Sequence, residues 1–140
     1  MRRAVAGSMG LLLLVALLLG MSGCTSTATL TITNDCVASK FFSKASASGV
    51  QVTVTSSWQE ASGGSNTESA LMKFGQKRSF IAVAPSEGGI FGGATFRVTA
   101  VLVDAGSGEN KDLGGGNWTV KEDGSQAVAI SELSGAQNCR

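Results

Sequence analysis

Residues 50–55 read VQVTVT, and this strict alternation limits the fold more than any other stretch of the chain. A period of two puts Val50, Val52 and Val54 on one face and Gln51, Thr53 and Thr55 on the other. That is the mark of a strand with one buried side. A helix would scatter the same valines around its circumference. Residues 28–33, ATLTIT, repeat the pattern, with Leu30 and Ile32 inward. Residues 77–84, KRSFIAVA, read as a third strand. Residues 94–103, ATFRVTAVLV, form the longest apolar run of the presumptive domain, and their blurred alternation predicts a central strand covered on both sides.

The remaining elements are shorter. Lys40 to Lys44, KFFSK, reads either as a short strand with Phe41 and Phe42 on opposite faces or as an aromatic loop. Trp58 falls on the inward parity of the VQVTVT strand if that strand continues. Residues 65–74 allow two readings. Ser65 and Glu68 have capping-box spacing and Gly75 suits a helix C-cap. An edge strand over Leu71 to Phe74, turning at Gly75-Gln76, would feed directly into residues 77–84, and the strand is preferred. Residues 113–117 are glycine-rich, and a strand resumes with Trp118 and Val120 on one face. Asp123-Gly124 then has the chemistry of a tight hairpin leading to Val128 and Ile130. The expected fold is all-β: a small antiparallel β-sandwich, immunoglobulin-like or similar, of six to eight short strands.

The chain opens with Arg2 and Arg3, followed by an apolar run over residues 9–21. That run suits a secretory leader and falls short of the roughly 20 residues that cross a bilayer. Residues 21–24, MSGC, follow. They resemble the lipobox of bacterial lipoproteins, where small residues precede a cysteine; Met21 stands where that family usually has leucine. The resemblance covers residues 1–24. It implies that Cys24 receives a diacylglyceryl group, that the chain is cut before Cys24, and that the new amino group is acylated, for example by palmitate. Two or three acyl chains hold a soluble domain on a membrane stably, whereas one holds it only marginally. The implied location is the outer face of the plasma membrane or the outer membrane, with membrane lipid as partner through acylated Cys24. The alternatives are an ordinary secretory signal cut near Ala28 and an uncleaved signal-anchor. The expected organisation is a signal peptide over residues 1–23, a lipidated terminus and short tether over 24–29, and one domain over 30–140.

Removing the 23-residue leader from 140 residues leaves 117, enough to bury roughly two-thirds of the unfolded surface. Eleven Lys and Arg less Arg2 and Arg3 leaves nine, against ten acidic residues, a net charge near −1. Without a basic stripe, nucleic acid is not an expected partner. His is absent, which removes the imidazole base and the commonest metal ligand. No cofactor and no metal site are expected. With Cys24 lipidated, Cys36 and Cys139 remain, an even count in an oxidising compartment, and a Cys36–Cys139 disulfide is expected. Two free buried thiols are the competing reading. The pair would join the two ends of the domain and tie down a small polar tail, unlike the Trp-between-cysteines arrangement of true immunoglobulin domains.

Two loops draw attention. Residues 88–93 carry Ile90 and Phe91 among glycines, an apolar pair that either contacts a partner or lipid or tucks back onto the core. Residues 104–112 carry Asp104, Glu109 and Asp112, oxygen ligands of the kind Ca²⁺ takes. Their spacing fails the EF-hand frame, which favours a solvated hairpin loop. No spacing singles out a catalytic pair, so an enzyme is not expected. The expected function is a membrane-anchored, non-enzymatic β domain that binds an unidentified protein or supports the envelope, with a small inhibitor or ligand carrier as the alternative.

Overall fold

The computed structural model describes residues 25–37, 47–59, 65–85, 92–104 and 108–140. Within them the chain forms seven strands: β1 (Thr27–Thr33), β2 (Ala47–Trp58), β3 (Asn66–Met72), β4 (Lys77–Val83), β5 (Ala94–Asp104), β6 (Asn110–Val120) and β7 (Ser125–Ala129). A short 3₁₀ turn, Ile130–Glu132, follows β7. Phe41 and Phe42 lie outside the described residues.

The strands make a two-layer sandwich. One sheet has the order β4-β1-β7 and the other β3-β2-β5-β6. Every pairing is antiparallel except β1 with β7, which is parallel. β1 and β2 lie in opposite sheets, so the connectivity differs from the immunoglobulin order, in which the first two strands share a sheet.

Alternation builds the core as the sequence predicts. Ala28, Leu30 and Ile32 of β1 and Val50, Val52 and Val54 of β2 are buried. Leu30 sits opposite Phe80, and Val54 opposite Val98, so each sheet presents a continuous apolar inner face to the other. Burying a side chain such as Phe96 or Leu102 completely contributes about 1.5–3 kcal/mol. Residues 66–72 are a strand, as preferred over the helix.

Four local expectations change. β5 is central, but only its inner face is covered: Ala94, Phe96, Val98, Ala100 and Leu102 are buried, while Arg97 and Thr99 on the other face are exposed. The apolar Val101 and Val103 on that outer face are half-buried, which is what blurs the alternation. The glycines at 114–116 do not interrupt β6. They carry it past a bulge, where the register with β5 shifts between Thr99 and Val101. The Asp123-Gly124 turn is tight, with the Gly124 amide donating to the Lys121 carbonyl, yet it joins strands of opposite sheets. Finally, β1 starts at Thr27, so half of the stretch expected to be a tether over 24–29 belongs to the first strand.

Candidate functional site

Strand register defines two ends of the sandwich. At the first, β1 begins: the Ala84 amide donates to the Ser26 carbonyl, and the Asp123 amide donates to the Thr27 carbonyl. Ala84, Gly93 and the turn at 121–124 therefore lie at this end. Ile90 and Phe91 fall outside the described residues, as does Cys24. At the second end lie the close of β1, the turn between β3 and β4, and the β5–β6 hairpin.

The second end is organised by two adjacent residues. Asn34 is fully buried. Its Nδ2 donates to the Met72 carbonyl at 3.0 Å, and its Oδ1 accepts from the Cys36 amide at 3.3 Å. Its backbone carbonyl accepts from the Gly75 amide at 2.7 Å, so the β3–β4 turn docks on the end of β1. Asp35 faces the C-terminal segment. It accepts from the Ser131 amide at 3.0 Å, the Ser131 hydroxyl at 2.5 Å and Arg140 Nε at 2.6 Å. Burial alone would raise the Asp35 pKa. The bonds from Ser131 and Arg140 outweigh it and hold the carboxyl below the usual aspartate range.

The expected disulfide is present. Cys36 and Cys139 are bonded at 2.06 Å, both buried. An Asp35 oxygen and the two sulfurs lie within 4.8 Å of one another. Both sulfurs are consumed by the bond, so this group is a clasp between the chain's ends. The glycine run of β6 completes it: the Gly135 amide donates to the Leu113 carbonyl, and Ser134 Oγ accepts from the Gly115 amide.

The acidic hairpin is a hairpin, with Val103 paired to Asn110. Asp104 is buried, whereas Glu109 and Asp112 are exposed. Asp112 Oδ1 accepts from the Gly114 amide at 2.7 Å, which serves the bulge. Among the described residues these three carboxylates do not converge into a metal-binding group.

One feature was missed from the sequence. Arg97, read only as part of an apolar strand, stands exposed on the outer face of the four-stranded sheet. Its signal was present: a lone cation at the polar parity of the longest apolar run.

Compared with known proteins, the chain matches no family model, no curated protein and no solved structure.

Proposed function

We propose that the chain is an exported lipoprotein, held to a bacterial membrane through acylated Cys24, whose β-sandwich is a non-enzymatic binding domain of the cell envelope. The observation that carries this reading is the MSGC sequence followed so closely by folded structure. Only Thr25 and Ser26 separate Cys24 from β1. At about 3.5 Å per residue the strand then begins about 10 Å from the anchored cysteine. The end where β1 starts faces the bilayer, and the clasp and acidic hairpin point away. Both sheet faces stay open to partners, and a rigid sandwich is a suitable scaffold for such contacts.

Among the described residues the apolar niche between Ile32, Val98, Trp118, Val128 and Leu133 is too tight for a water molecule.

Fractionation of cells expressing wild type and Cys24→Ala tests the anchor. The wild type is expected in the membrane fraction and extractable only by detergent, while Cys24→Ala loses the membrane association or accumulates unprocessed. A wild-type protein found in the soluble fraction would overturn the reading.

A further inference from the structure

Among the described residues the outer face of the four-stranded sheet is largely polar and carries few charges, and Arg97 lies on it toward the start of β5. Arg97 lies on the inner strand β5, between Thr55 of β2 and Asn117 of β6, with Thr95 and Thr99 before and after it on the same face. The four diagonal positions hold serine, threonine and glycine. Among the described residues Arg97 makes no ion pair or hydrogen bond, whereas Arg78 pairs with Glu68 and Arg140 with Asp35. Among the described residues the first acidic residue met along this face is Asp112, opposite Val101. That is two side-chain rows away, or about 13 Å, and its carboxylate already binds the Gly114 amide.

The hydroxyls around Arg97 are held in place. Thr55 Oγ pairs with Thr67 Oγ at 3.0 Å, and Thr53 Oγ with Ser69 Oγ at 2.9 Å. A hydroxyl engaged once still has a lone pair to offer outward. The face therefore sets hydroxyl and amide groups around a guanidinium that has no ionic partner among the described residues.

We propose that this face binds a carboxylated polysaccharide, with Arg97 forking onto a sugar carboxylate while Thr95, Thr99, Thr55 and Asn117 hydrogen-bond the neighbouring sugar hydroxyls. The ligand chemistry follows from complementarity. A guanidinium meets a carboxylate bidentately. The polyol matches the hydroxyl lattice. A peptide partner fits less well, because protein interfaces draw on aromatic and apolar anchors. The ring around Arg97 has none, and the apolar Leu71, Val101 and Val103 of this face lie toward its far end. The inference deepens the binding-domain reading and is independent of the lipid anchor.

The test is retention of the detergent-solubilised full chain on immobilised polygalacturonate, with dextran as the neutral glycan and poly-L-glutamate as the carboxylated peptide. Binding to polygalacturonate alone is expected. Arg97→Gln should weaken it about tenfold to a hundredfold, the worth of hydrogen bonds to a charged group. Arg97→Lys, which keeps the charge but loses the fork, should fall between. Lys77→Gln, on the other sheet, should change it less than about twofold, as a distant exposed charge. No retention, equal retention on poly-L-glutamate, or Arg97→Gln binding like wild type would each overturn the proposal. None of these results would bear on whether Cys24 is acylated.

Discussion

Asn34 shows how one buried polar residue can set the geometry of a whole end of the sandwich. It has no exposed surface and uses both ends of its side chain, on the Met72 carbonyl and the Cys36 amide. Asn34→Ala would strand both buried partners, at a cost of about 2–3 kcal/mol. The midpoint of urea unfolding should fall accordingly, with an unchanged slope. Asp35 gives the neighbouring site a pH dependence. Its folded pKa is lowered, so its contribution is present above the unfolded value of about 3.9 and is lost as the pH falls through the folded value. Stability measured from pH 5 downward should decline in that window, and Asp35→Asn should flatten the decline. A variant with the same acid limb as wild type would show that Asp35 is not the group responsible.

At the level of elements, the glycines separate into those that close structure and those that merely turn it. Gly114 has φ of +76°, and a Cβ there would lie 2.3 Å from Ser134 Oγ and 2.7 Å from the Gly135 amide nitrogen. Gly108 has φ of +70°, but a Cβ there would meet nothing within 4 Å. Gly108→Ala should therefore cost about 1–2 kcal/mol, the strain of the left-handed backbone alone. Gly114→Ala should cost clearly more, since it also pushes the C-terminal strap off β6. Thermal unfolding of the two variants separates these effects, and equal losses would contradict the strap contact. The same scale shows what could be read from sequence. Period-two alternation located β1 and β2 because each has one buried face, and the preference for strand came from the strong strand that follows at 77–84, although the strand was expected at 71–74 and runs from Asn66 to Met72. The sheet to which a strand belongs was not legible. Asp123-Gly124 specifies a local reversal of the chain, but whether the next strand pairs with β6 or with β1 is decided by packing between layers. Arg97 was passed over because a strand's polar parity ordinarily carries solvent-facing charge, and only the register reveals the ring of neutral neighbours around it.

For the whole molecule, the disulfide spans 103 positions and fastens the last residues to the end of β1. Chain entropy gives on the order of 4.7 kcal/mol for a loop near 100 residues. A Cys36→Ala, Cys139→Ala double variant should lose about 4 kcal/mol, and reduction of the wild type should match it. This pairing was legible from cysteine count alone, because two thiols admit a single bridge once Cys24 is set aside. The two-ended arrangement would give the proposed anchor its meaning: a lipid at Cys24 would fix which end meets the membrane and leave both sheet faces, Arg97 included, open along the side. The most direct test of this account is the intact mass of the protein taken from a membrane fraction, with and without reductant. The expected mass is that of residues 24–140 plus acyl chains, rising by two hydrogens on reduction as the Cys36–Cys139 bond opens. An unlipidated chain beginning past Cys24 would contradict the anchor, and with it the orientation of the domain on the membrane.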